Sequence, residues 1–214
     1  MKILLTAATE MELNPVAAGL SVANNRHEVI PLVTGVGAVS TAYKLTKELC
    51  CKQYDLLVNV GIAGSFTSQY PVGSVAYVQQ DCFADLGVRD EAGFTSAFSM
   101  GLLDVNKKPF TNGWLCCPYL SKLAAKSTPF TRAVTVNTIT GTPARVQELV
   151  ELYTPDIESM EGAAFFYAAI NEGTPFVQLR SVSNKVGERD KTKWNIALAL
   201  KNLTTKVDCF FAGL

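Results

Sequence analysis

Four polar side chains interrupt apolar surroundings in a way that suits chemistry: Glu12, Glu161, Arg180 and Asn184. Glu12 and its neighbour Glu10 follow the strand-like run KILLTAA (2–8). A carboxylate held near water with a suitable pKa acts as a general base, and Glu12 lies deeper into that junction; a solvated loop carboxylate is the other reading of either residue. Glu161 follows Met160 in IESMEGAA (157–164), at the head of an apolar helical run. An acid there favours the helix dipole, a part Glu158 can also play. A partly buried carboxylate, however, needs strong donors, and two vicinal ribose hydroxyls are such donors. Met160 offers soft apolar surface to a sugar face, or fills core. Arg180 sits inside TPFVQLRSVSN (174–184), so its guanidinium needs a partner if it points inward, with Glu12 and Glu161 the candidates. Asn184 both donates and accepts. It suits a heterocycle carrying a ring nitrogen beside a carbonyl, or serves a turn.

These residues must be positioned by the elements around them. Six apolar runs read as strands: 2–8, 28–35, 55–61, 74–86, 131–139 and 174–184. Pro31 places the second at a sheet edge or an irregularity. Helical spacing marks 39–53, 144–153, 161–173 and 190–211, with a short helix from about Tyr119 to Lys126. Near-continuous apolar strands separated by helices indicate an α/β fold with both sheet faces covered, a three-layer α/β/α arrangement. The strand-rich stretch 74–100 makes the central twisted sheet mixed. No linker or repeat divides the chain, so residues 1–214 are expected to form a single domain. Ligands in such sheets sit beyond the carboxyl ends of strands, which is where Glu12, Gly35, Gly37, Gly61, Gly64, Asn137, Gly141 and Asn184 fall.

The glycine junction TGVGAVSTA (34–42) lacks the spacing of a dinucleotide or P-loop motif. It is either a packing turn or a place where N–H groups meet a ligand. In NVGIAGSF (59–66), small residues let a flat ligand approach the backbone at Ile62, Ala63 and Gly64.

Lysine plus arginine number 19 and aspartate plus glutamate 19, which leaves no electrostatic footprint for nucleic acid or an anionic membrane. No stretch of about 18 uncharged apolar residues suggests a membrane span. The 6 cysteines form no zinc spacing, and reduced thiols fit a cytoplasmic protein. His27, the one histidine, reads as a surface or strand-edge residue. No metal or organic cofactor is called for.

In order along the chain, KILLTAATEMEL, TGVGAVSTA, LLVNVGIAGSF, VTVNTITG, ESMEGAA and LRSVSN resemble the nucleoside phosphorylase and nucleosidase superfamily. The similarity is greatest to the branch with methylthioadenosine/adenosylhomocysteine nucleosidases and futalosine hydrolases, and FADLGVRDEAGF (83–94) looks like the latter. The resemblance implies a nucleoside phosphorylase-like fold and a small-molecule nucleoside substrate. It implies a homodimer as well. By that likeness Glu12 activates water, Met160 and Glu161 hold ribose, and Ile62, Ala63 and Gly64 line the site near sugar and base. Asn137, Thr138 and Ile139 then lie beside the base, and Arg180 supports the pocket.

Three positions depart from the adenosine-type pattern. Asn184 replaces an aspartate, Thr138 an aromatic, and Ser159 a second glutamate. An amide cannot protonate adenine N7 but can donate to N7 or O6 of a 6-oxopurine. The implied reaction is hydrolysis of futalosine to hypoxanthine and dehypoxanthine futalosine, for menaquinone biosynthesis. Methylthioadenosine/adenosylhomocysteine nucleosidase, purine nucleoside phosphorylase and a noncatalytic nucleoside binder remain the alternatives. Arg26 and Arg89 are the candidates for a phosphate, Arg89 and Lys185 for the substrate's acidic tail.

Overall fold

Apolar runs long enough to be buried on both faces dictate the centre of the sheet. In the computed structural model, which describes residues 1–23, 26–123 and 130–214, they are β1 (Lys2–Ala7) and β3 (Leu56–Ser65). β1 lies parallel between β3 and the edge strand β2 (Glu28–Val33), where Pro31 is tolerated as expected. β4 (Val75–Asp81), β8 (Phe130–Thr135), β9 (Ile157–Ser159) and β10 (Phe176–Lys185) complete the main sheet with the short β7 (Leu115–Cys116). The strands β5 (Gly87–Asp90) and β6 (Gly93–Ser96) form a separate antiparallel hairpin.

The sheet is mixed, as expected. β10 runs parallel to β3 and antiparallel to β4. β8 is parallel to β4 and to β9, and β9 returns antiparallel to β3. The strands β3, β10, β4, β8 and β9 therefore close on one another, and β1 and β2 extend from that ring. Closure brings the ends of β3, β9 and β10 together, which the linear order of the sequence did not reveal.

Helices α2 (Ala38–Cys51), α4 (Pro143–Tyr153), α5 (Gly162–Glu172) and α6 (Ile196–Ala212) fall where helical spacing placed them. A 3₁₀ turn at Lys191–Lys193 separates the start of the last segment from α6. The helix α3 spans Leu120–Leu123; Tyr119 lies in the turn before it, and residues 124–126 of the expected helix lie outside the described residues. The first helix, α1 (Glu10–Ala23), is an addition. Its interior Pro15 removes a backbone donor and masked the helical pattern. α1 packs on α6, and α2 on α5.

The core is aliphatic in β1 and β3 and aromatic beneath α5. Phe165, Phe166 and Phe176 are fully buried, and the Phe166 and Phe176 rings meet edge-on with centroids 4.7 Å apart. Each such ring contributes about 1.5–3 kcal/mol on burial, which fixes α5 and hence the residues at its head.

Candidate active site

The sequence Thr9-Glu10-Met11-Glu12 has the spacing of a capping box. Thr9 Oγ1 accepts from Glu12 N at 3.4 Å, and Glu12 Oε2 accepts from Thr9 N at 3.2 Å. Thr9 Oγ1 also lies 2.7 Å from Oε2 as a donor. Because these are the first residues of α1, Glu12 is held by a helix start, not by an extended loop. Its other oxygen, Oε1, accepts from Ile62 N at 3.1 Å. A carboxylate has about four acceptor positions; the one left over is on Oε1. Glu12 is buried, whereas Glu10 and Met11 are exposed.

Glu161 occupies the N-cap of α5, yet its side chain makes no capping bond. Oε1 instead accepts from Gly37 N at 2.9 Å. The glycine turn after β2 therefore spends this N–H on a carboxylate. Gly37 has φ +89°, a backbone that L side chains rarely adopt. Burial raises the Glu161 pKa, and the nearby Glu12 charge adds to this; the Gly37 bond and Arg180 oppose it.

Arg180 does not form the direct ion pair with Glu12 or Glu161 expected of it. Its buried guanidinium donates to Leu179 O at 3.4 Å, and Nε has no partner. Burial lowers its pKa, while the fields of Glu161, Glu12 and Asp81 raise it. A Cβ at Gly61 would lie 3.0 Å from Glu12 Oε1 and 3.1 Å from Arg180 Nη1, so glycine is what lets the two approach. Arg180 is thus a buried positive charge beneath the site.

Asn184 reaches the site through a break in strand register. Val182 pairs with Ala63, but Asn184, not Ser183, pairs with Gly64. The extra residue turns Asn184 to the face opposite the one regular alternation would give it. Its Oδ1 accepts from Ser183 Oγ at 2.8 Å, and Nδ2 donates to Lys185 O at 3.0 Å. The second N–H of that amide remains for a ligand.

A cavity of about 190 Å³ gathers Glu12, Glu161, Met160, Asn184, Ile62, Ala63, Gly64 and Ile139 from across the chain. Arg180 does not line it, nor do Asn137 and Thr138. Asn137 is exposed and donates to Asp85 through N (2.6 Å) and Nδ2 (3.2 Å). Asp85 thereby draws it away from the cavity. Thr138 lines an adjoining cavity with Arg89, Arg145 and Arg189. Arg89 is committed to Glu148, and Lys185 lines a neighbouring hollow beside Asn184.

The cavity also contains Thr9, Met11, Val36, Val186 and Trp194, which the sequence reading did not single out, together with Ser183 and with Glu158 and Ser159 from β9, for which it expected no place in the pocket. Trp194 is fixed by donation from Nε1 to Glu188 O at 3.0 Å. Among the described residues no lysine or arginine lines the cavity, and none of their acidic or thiol groups clusters into a metal site. No described helix is long and apolar enough to cross a membrane.

The model of the phosphorylase superfamily matches residues 6–212. A futalosine hydrolase of Streptomyces coelicolor is 38% identical over 185 residues, covering 82% of this chain and 75% of that protein. One of Acidothermus cellulolyticus is 31% identical over 220 residues, covering 95% and 87%. The native structure of futalosine hydrolase of Helicobacter pylori strain 26695 superposes with a TM-score of 0.82 over 100% of this chain and 98% of that one. At 15% identity, that likeness concerns the fold.

Proposed function

The chain belongs to the phosphorylase superfamily and, within it, to the futalosine hydrolases; from that premise we propose that it hydrolyses the N-glycosidic bond of futalosine, with Glu12, Glu161 and Asn184 as the working groups. The observation that carries this assignment is that the three open onto one cavity although they come from α1, the head of α5 and the end of β10.

Ribose lies over Met160, and the free oxygen of Glu161 accepts from its vicinal hydroxyls. Water sits at the remaining acceptor position of Glu12 Oε1. As the C1′–N9 bond lengthens, positive charge grows on the sugar ring, and the two carboxylates stabilise it. The water oxygen bonds to C1′ while Glu12 takes its proton. The electron pair of the broken bond leaves with the base, and Asn184 Nδ2 donates to the oxygenated purine as that charge builds. A solvent proton completes hypoxanthine.

The acidic lining favours water over phosphate. A phosphate needs converging donors, usually arginine. Glu12, Glu158 and Glu161 repel one, Gly37 N is engaged by Glu161, and Arg26 and Arg89 do not line the cavity. The test is hypoxanthine release from futalosine with and without phosphate.

The reading includes a homodimer. Val36 at the cavity rim is 59% exposed, and Val39 and Tyr43 on the following helix are 82% and 65% exposed, an apolar strip that a second copy can cover. Sedimentation tests it. The free cysteines support a reducing cytoplasm.

A further inference from the structure

The proposed cleavage leaves one buried carboxylate of the cavity without a contact to the substrate. Glu158 is 5% exposed and lines the same cavity as Asn184. Its Oε1 accepts from Thr140 N at 3.0 Å. Its Oε2 makes no hydrogen bond of ordinary geometry, and neither does the hydroxyl of Thr140, which is near enough to lower the Glu158 pKa. An unpartnered buried oxygen of this kind costs roughly 1–3 kcal/mol, so a ligand donor arriving there recovers a loss already incurred. Burial raises the Glu158 pKa, and Thr140 opposes the rise.

The register of the sheet says where that donor belongs. Glu158 pairs with Gly64 on one side of β3, and Asn184 pairs with the same Gly64 on the other. Register partners project to the same sheet face. Gly64 carries no side chain between them; a Cβ there would meet Val186 Cγ2 at 2.9 Å and Asn184 Nδ2 at 3.3 Å, so Val186, which also lines the cavity, forms an apolar floor at this point. The two flanking backbones are separated by two strand spacings, about 10 Å. A purine resting on Val186 between the two strands can therefore present its N7/O6 edge to Asn184 and the adjoining N1 edge to Glu158.

We propose that Glu158 is a specificity-determining residue that accepts the N1–H of a 6-oxopurine base, so that Asn184 and Glu158 grip the two edges of hypoxanthine across Gly64. A 6-oxopurine carries hydrogen on N1, whereas a 6-aminopurine presents a lone pair there. The carboxylate attracts the first and repels the second. This assignment rests on the nucleosidase reading with a 6-oxopurine leaving group.

The test compares calorimetric binding of hypoxanthine, 1-methylhypoxanthine and adenine to the wild-type chain and to Glu158→Gln, with kcat/KM for futalosine and its 6-amino analogue. The glutamine keeps an oxygen for Thr140 N and offers an amide N–H to adenine N1. The wild-type chain is expected to bind hypoxanthine at least 10-fold more tightly than either other base. Glu158→Gln is expected to narrow the hypoxanthine-to-adenine ratio, and the matching kcat/KM ratio, by 10-fold or more. Equal wild-type affinity for hypoxanthine and its 1-methyl derivative overturns the assignment without recourse to a variant. So does a Glu158→Gln chain that weakens all bases alike, because that result leaves Glu158 only a bracing role at Thr140. Futalosine cleavage that persists in either case leaves the nucleosidase reading standing, whereas a wild-type chain that neither cleaves futalosine nor binds hypoxanthine overturns both.

Discussion

The backbone N–H of Gly37 donates to Glu161 Oε1 over 2.9 Å, across 124 residues of sequence. One carboxylate oxygen is thereby fixed, and the other is left to the ligand. Glu161→Gln preserves an acceptor for Gly37 but removes the charge proposed to hold the sugar diol and stabilise the cationic ring. We expect kcat/KM for futalosine to fall by about 10²-fold or more. A fall of less than about threefold removes Glu161 from the ribose role.

Burial raises the Glu161 pKa, and on the proposed reading this group is expected to set the acid limb of activity. The ionised form is the one that accepts from both hydroxyls, so activity is lost as pH falls through the raised value. The acid limb of the kcat/KM profile should therefore lie above the ordinary carboxylate value. A limb at or below that value contradicts this account of Glu161.

Glu12 is gripped by Thr9 on one oxygen and by Ile62 N on the other. For Glu12→Gln the expected loss in kcat is about 10²–10⁴-fold, the range of a general base, with binding of the nucleoside largely retained. Thr9→Val removes the hydroxyl donor and the helix cap. It should cost about 1 kcal/mol of stability and a smaller share of kcat than Glu12→Gln. Single-turnover kinetics beside thermal melts separates the two effects, and near-normal turnover in Glu12→Gln dismisses it as the base.

Much of this arrangement was legible before the structure. The apolar runs of β1 and β3 and the helical spacing of α5 identified their own elements, because burial on both faces and on one face leave different patterns. Glu12, Glu161 and Asn184 were legible as polar groups at strand and helix ends. α1 was not, since Pro15 obscures its interior, although the Thr9–Glu12 spacing announced its start. Glu158 looked like a first-turn acid because β9 is only three residues long, too short for alternation to show. Its pairing with Gly64 is a tertiary choice. Asn137 and Thr138 were expected beside the base from the family likeness. The distant Asp85 turns Asn137 outward instead. The register break at Ser183, which aims Asn184, has no local sequence signal.

Asp81 gives a stability prediction independent of catalysis. It is fully buried, and burial pushes its pKa up to about 7 against the bonds from Thr135 and Gln178 and the field of Arg180. Thr135 Oγ1 in turn accepts from Ala163 N at 2.7 Å, which ties Asp81 to the start of α5. The unfolded chain ionises Asp81 near its ordinary value of 3.8, whereas the folded chain holds the proton to about 7. Between those values the folded state binds more protons, so this group's contribution makes stability fall as pH rises. Asp81→Asn should flatten the pH dependence of thermal unfolding over that window. An unchanged slope means that Asp81 is not the group responsible.

On the proposed reading, Asn184 sets which base can leave. Its amide has one N–H engaged by Lys185 O and one available to a 6-oxopurine. Asn184→Asp supplies an acid that can protonate N7 of adenine, and turnover of methylthioadenosine relative to futalosine should rise by about 10-fold or more. An unchanged ratio of kcat/KM for the two substrates contradicts the assignment.

The most direct measurement is hypoxanthine release from futalosine by the purified chain, run in phosphate-free buffer and again with phosphate, with the sugar product identified in each. The expected result is the same rate in both and a free dehypoxanthine futalosine carrying one oxygen from water. Hypoxanthine released only with phosphate, as a sugar 1-phosphate forms, would show that water held by Glu12 is not the nucleophile.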